Sequence, residues 1–215
     1  MRAARVWLVL ACCWGMLGAF GQTVALPEVA DSCLRDGHLL FSVSPRGNAI
    51  TQATVAAGDL PIDHVGMMML CGRQACVVEA APARGVAVTP LDDFLKANPR
   101  CVVGRVAGLD VSASLAAARA CVGLPYDSLF EADDRAMYCS ELMQKCCVDS
   151  LGNPVFGIIP MSFHDSSGRT LPYWTEFYRR NGREVPEGEP GTNPGQLARS
   201  PRVAILGWLR HGVAR

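Results

Sequence analysis

Three sulfurs fall within the stretch "YCSELMQKCC" (138–147): Cys139, Cys146 and Cys147. A thiol acts as a nucleophile in its thiolate form. From Cys139 onward the stretch reads as a helix, so this sulfur faces unpaired backbone N–H groups and the positive end of the helix dipole, a field that favours the charged form. Cys146 and Cys147, two turns further on, have no such field and read as core packing or disulfide partners. A catalytic cysteine also needs an imidazole to take its proton and a third group to orient the ring. Without those partners Cys139 is a buried small hydrophobe, the commoner fate of a lone cysteine.

His64 and Glu79 can be related by counting. "DHVGMMML" (63–70) and "ACVVEA" (75–80) are apolar runs separated by Cys71, Gly72, Arg73 and Gln74, which is hairpin punctuation. A two-residue turn at Gly72 and Arg73 pairs Cys71 with Gln74 and puts Gly66 opposite Glu79. His64 then becomes the diagonal neighbour of Glu79 on the same face, at a spacing of roughly 7–8 Å that long side chains can bridge. The alternative is that both groups are solvated at strand ends. His38, His164 and His211 have no carboxylate at a comparable spacing and read as solvated.

The elements around these groups follow from periodicity. "HLLFSVS" (38–44) reads as a strand, and "GNAITQATVAAG" (47–58) carries Ala49, Ile50, Ala53 and Ala56 at helical spacing. "TPLDDFLKAN" (89–98) resembles a helix start, with Thr89 as N-cap, Pro90 first in the helix and acids in the first turn. "RCVVGRVA" (100–107) is a strand and "DVSASLAAARACVG" (110–123) a helix ending at Gly123. Residues 184–200, rich in Pro and Gly, read as a surface loop before a last strand, "RVAILGWL" (202–209). This mixture, without internal repeat, predicts an α+β fold.

At 215 residues and 50% hydrophobic content, the chain can bury one substantial core. Twenty basic and twenty acidic residues leave no net charge and no basic run, so neither nucleic acid nor an anionic membrane surface is expected as a partner. "MRAARVWLVLACCWGMLGAFGQ" has Arg2 and Arg5 ahead of a short apolar stretch and a small-residue end at Ala19, Phe20 and Gly21. That is the pattern of a signal peptide over residues 1–21, leaving 22–215 as the mature domain, periplasmic or secreted, with no stable membrane span after cleavage. An uncleaved anchor is the alternative; a lipoprotein site at Cys12 or Cys13 fits less well. Eight cysteines would remain, from Cys33 to Cys147, and export makes disulfides possible. If Cys139 is free, seven are left, so at least one other thiol is unpaired. With neither C-x-x-C nor H-x-x-x-H, no metal or other cofactor is expected.

The segments "RDGHLLFSVS", "NAITQATVAAGDLPIDHVGMMM", "VVEAAPARGV", "GLPYDSLFEADDRAMYCSELM" and "PGTNPGQLARSP" together resemble the circularly permuted papain-fold amidases of the YiiX/YebB type, within the NlpC superfamily. The resemblance runs roughly from Leu34 to Pro201. Its most specific parts are "DHVGM", "YCSEL" and the G-x-P-Y-D element at residues 123–127. In that family the order is His, polar residue, Cys, and His64, Glu79 and Cys139 follow it. The resemblance implies a papain-like α+β fold, an antiparallel sheet or partial barrel with packed helices. It also implies a cysteine hydrolase of amide bonds with Cys139 as nucleophile, His64 as base and acid, and Glu79 as orienting group. Tyr126, Asp127 and Tyr138 are then candidate substrate-binding residues, although packing and capping explain them equally well. Where relatives tend to carry an acid in the opening "G-D-L", this chain has His38.

The expected substrate is a peptide or acyl amide. Export points to cell-wall peptides, whereas the apolar "GMMML" beside His64 would also suit an acyl chain, though a buried central strand explains those methionines more simply. A rival of another class is a non-catalytic wall- or lipid-binding module of the same fold, with Cys139 inert or tied into a disulfide.

Overall fold

In this computed structural model, which describes residues 25–56 and 58–212, the hydrophobic runs assemble into a seven-stranded sheet. The strands are β1 (Glu28–Ala30), β2 (Leu39–Val43), β3 (Ile62–Cys71), β4 (Gln74–Ala81), β5 (Gly85–Pro90), β6 (Cys101–Val106) and β9 (Val203–Arg210). Their order is β1-β9-β6-β2-β3-β4-β5, antiparallel except where β1 runs parallel to β9. β1 and β5 are its edges, so the sheet is open. A short second ribbon joins β7 (Ile159–Pro160) to β8 (Pro190–Gly191). The expected signal segment lies outside the described residues.

The β3–β4 hairpin has the register that a two-residue turn predicts, with Cys71 opposite Gln74 and Gly66 opposite Glu79. Both faces of the sheet are covered. Met67 and Met69 enter one core layer and Met68 the other, all three buried, which accounts for the unbroken apolar run. On the first face pack α3 (Val111–Ala120), α4 (Cys139–Cys146) and α6 (Pro194–Ala198), through Leu115, Ala118, Leu142, Met143 and Leu197. Leu91 and Phe94 of α2 (Leu91–Ala97) fill the other. A third, aromatic cluster of Met161, Phe163, Trp174 and Tyr178 joins α5 (Pro172–Arg180) to α1 (Ala49–Thr54). It is tied down by Trp174 Nε1–H donating to the Ala49 carbonyl at 3.2 Å and Tyr178 O–H to the Leu129 carbonyl at 3.0 Å.

Three expectations are corrected. Thr89 is not a helix cap: it lies in β5, fully buried, and Pro90 holds the cap position without a side-chain hydrogen bond. Its hydroxyl has a better partner across the sheet in Glu79. Residues 184–200 are not simply a surface loop, because Pro190–Gly191 forms β8 and Pro194–Ala198 forms α6, with Thr192, Gly195 and Leu197 buried. Asn193 starts that helix by accepting from Gln196 N–H at 2.7 Å, which lets a Pro- and Gly-rich segment turn helical. The helix expected to end at Gly123 ends at Ala120, and Gly123 follows with φ 98°.

Candidate active site

Cys139 is the first residue of α4, and its N–H, with those of Ser140 and Glu141, precedes the first intrahelical bond, Leu142 N–H to the Tyr138 carbonyl at 3.0 Å. The helix start is fixed from several sides. Residues 123–138 dock on the edge strand through Val86 N–H to Leu124 O and Gly123 N–H to Val86 O, both 2.9 Å. Gly85, with φ 67°, allows this approach, since a Cβ there would run into the Leu124 carbonyl. On the other side Thr192 donates from its N–H to Tyr138 Oη at 3.0 Å and from its hydroxyl to Ser140 Oγ at 3.0 Å. Cys139 itself is buried among the core residues of the α4 face.

His64 Nε2 and Glu79 Oε2 are 2.7 Å apart, and the imidazole lies near Phe94 with ring centroids separated by 5.9 Å. With Nε2 engaged, Nδ1 is left for the thiol. Burial alone would push the imidazole pKa down. Hydrogen bonding and charge from Cys139 and Glu79 outweigh it and raise the value to about 10, so the ring holds its proton. Glu79, only 2% exposed, would itself be pushed up by burial, but His64, Thr89 and Arg84 turn the balance and its pKa is lowered. Its Oε1 accepts from Thr89 Oγ1–H at 2.7 Å and Arg84 Nη2–H at 3.0 Å. A buried carboxylate with this many donors stays charged and fixed in place.

Thr89 and Arg84 were not anticipated as part of this cluster. Glu79 faces Ala87 in the β4–β5 ladder, which makes Thr89 its diagonal neighbour on β5 as His64 is on β3. The same register count, applied to the turn at residues 82–84, could have found Thr89.

Cys139 borders a pocket whose apolar wall includes Ile50, Phe130, Met161, Phe163 and Trp174. Of the three candidate binding residues, Tyr126 and Tyr138 line it. Asp127 does not: it is buried in the preceding loop, where Oδ1 accepts from Leu129 N–H at 2.9 Å and burial raises its pKa. Oδ1 is taken up by the turn that leads toward α4, while Oδ2 is buried and accepts no hydrogen bond from any described residue. His38 is half-buried rather than solvated, four residues along the β2–β3 ladder from His64, and its Nδ1 accepts from Arg35 N–H at 3.2 Å. His164 pairs with Glu187, and His211 with Asp31 and Asp92, on the surface. The eight cysteines of the described residues are all free thiols, and the sulfurs of Cys121 and Cys146 lie 3.9 Å apart.

A permuted papain-like scaffold with a thiol at a helix start and an imidazole on the facing sheet defines a class of cysteine amidases. The sequence profile of one such family, described as permuted papain-like amidases (YaeF/YiiX, C92), matches residues 34–207, and the chain belongs to that family. It is therefore a cysteine amidase/peptidase by class. Its sequence is 26% identical over 176 residues to YiiX of Escherichia coli strain K12, described as uncharacterized, covering 79% of this chain and 84% of the relative. The crystal structure of "metalloprotein yiiX" from Escherichia coli O157:H7 superposes with a TM-score of 0.65 at 26% identity, covering 79% of this chain and 94% of the other.

Proposed function

We propose that the protein hydrolyses amide bonds through Cys139, His64 and Glu79. The observation that carries this reading is the imidazole held between a carboxylate at 2.7 Å and the thiol, with both favouring its protonated form. The Cys139 thiolate attacks the carbonyl carbon, and the Cys139 N–H donates to the oxygen as it gains charge. His64 gives its proton to the departing amine, leaving a thioester on Cys139. It then removes a proton from water, whose oxygen attacks the thioester and releases the acid. Glu79, clamped by Thr89 and Arg84, keeps the ring oriented and balances its charge.

No step is routed through a metal, although one relative is described as a metalloprotein. Among the described residues no three His, Cys, Asp or Glu side chains converge on a cation position. His64 Nε2 and both oxygens of Glu79 are already engaged within the protein, so the donors at the site do not fit one.

The amino-terminal pattern supports export, and an exported amidase has cell-wall peptides as its nearest abundant substrate. Turnover of wall-derived peptides and of N-acyl amines by the wild type and Cys139→Ala tests both halves of the reading. Wall peptides should be cleaved, the variant should be inactive, and the mature protein should begin near Gln22. Cleavage of N-acyl amines alone would replace the wall substrate, and full activity of the variant would overturn the mechanism.

A further inference from the structure

Asp63 has no part in that mechanism, yet it is placed as if for a ligand. In the β2–β3 ladder Phe41 faces Val65 and Ser42 faces His64, but Val43 faces Ile62, so Asp63 is an extra residue, a bulge in β3. Bulges break the strand's alternation and re-aim side chains, and they gather beside active sites. Here Asp63 lines the same pocket as Cys139.

Its surroundings leave the carboxylate under-partnered. Asn48, whose Oδ1 caps α1 by accepting from Ile50 and Thr51 N–H, turns its amide nitrogen to Asp63 and donates to Oδ2 at 2.7 Å. Oδ1 is buried and accepts no hydrogen bond from any described residue. Among the described residues Asp63 forms no ion pair. No other Asp or Glu and no Lys, Arg or His lines the pocket. Nor is Asp63 needed by His64, whose charge is already answered by Glu79 and Cys139. A buried carboxylate oxygen left without a donor forfeits a hydrogen bond, and a ligand that brings the missing donor restores it.

We propose that Asp63 anchors a protonated amine of the substrate, so that the enzyme selects amides carrying a free ammonium group beside an apolar group over neutral N-acyl amides. A short peptide with a free amino group has this chemistry. The inference rests on the amide-hydrolase reading and narrows it.

The test uses the full chain and two reagents that differ at one end: 2-aminoethyl methanethiosulfonate, which ends in an ammonium, and propyl methanethiosulfonate, which ends in a methyl. Each transfers its alkylthio group to the Cys139 sulfur, forming a mixed disulfide and releasing methanesulfinate. Peptide mapping gives the cationic-to-neutral rate ratio at Cys139, taken relative to free cysteine. One partly screened ion pair is enough to raise that ratio about ten-fold in the wild type, and Asp63→Asn should bring it back toward one. Asp63→Ser serves the same purpose should the Asn variant not fold. A wild-type ratio equal to that of free cysteine, or a raised ratio unchanged in the variants, overturns the ammonium site while leaving Cys139 as nucleophile. If neither reagent modifies Cys139 ahead of the exposed Cys33 and Cys71, the hydrolase reading and this inference fail together.

Discussion

Glu79→Gln keeps the shape of the side chain and removes its charge, and the hydrogen-bond map fixes what must follow. In the wild type Oε2 serves His64 while Oε1 serves Thr89 and Arg84. A carboxamide can accept at only one end. If its oxygen stays with His64, its NH2 meets the Arg84 guanidinium, donor against donor. If its NH2 turns to His64, it requires a bare Nε2 and moves the proton of the neutral ring to Nδ1, where it cannot take the thiol proton. The first arrangement forfeits a hydrogen bond to a charged group, about 1.5–3 kcal/mol. At about 1.4 kcal/mol per decade this is a fall of about 10- to 150-fold in kcat/KM. His64→Ala, which removes the base, should abolish turnover. The pH profile carries a second signature. Because the His64 pKa is raised to about 10, the imidazolium that protonates the leaving amine persists up to that pH and is lost above it. Glu79 is one of the groups that raise it, so the alkaline limb should move to lower pH in Glu79→Gln. Initial rates of amide cleavage across the pH range measure both effects. Full activity with an unmoved limb, or a variant as inactive as His64→Ala, would refute the reasoning.

Thr89→Val removes a neutral donor from Glu79 and should cost about 1 kcal/mol, a several-fold fall in kcat/KM. Arg84→Gln should cost less and mainly at low salt, since that side chain is 47% exposed; steady-state kinetics at two ionic strengths separate the two. Gly66 faces Glu79 across the hairpin, and a Cβ there would overlap Val77 Cγ1. Gly66→Ala should therefore lower both the melting temperature and the turnover number, as a thermal melt and a rate measurement would show. Leu142→Ala in the fully buried face of α4 should cost about 2–5 kcal/mol of stability, read by denaturant unfolding.

Local chemistry made part of this site legible from the sequence. The Gly72 and Arg73 turn fixed the β3–β4 register, and with it the diagonal of His64 and Glu79, because hairpin pairing is set by the turn alone. The helix beginning at Cys139 and the motifs around it were equally local. What escaped was decided by contacts between distant segments. Thr89 beside Pro90 and two acids has the composition of a cap, but a buried carboxylate on the neighbouring strand claims its hydroxyl. The Pro- and Gly-rich segment looked like surface loop, yet Thr192 reaches Tyr138 and Ser140 across more than fifty residues and makes it a wall of the pocket. The bulge at Asp63 left no mark in the apolar alternation, since it depends on how Ser42 and Val43 pair on β2.

The most direct test of the central claim, a thiol and imidazole working as a pair, is alkylation by iodoacetamide at pH 6, mapped peptide by peptide in the wild type and His64→Ala. Burial pushes up the pKa of Cys146 and Cys147 and takes Cys101 to about 12, so these thiols should stay silent at that pH. Cys139 should label far faster than they do, and loss of the His64 imidazolium should slow it toward the rate of an ordinary thiol. If Cys139 is found in a disulfide, or labels no faster than Cys146 and Cys147 in either protein, it is not an activated nucleophile and the hydrolase mechanism is wrong.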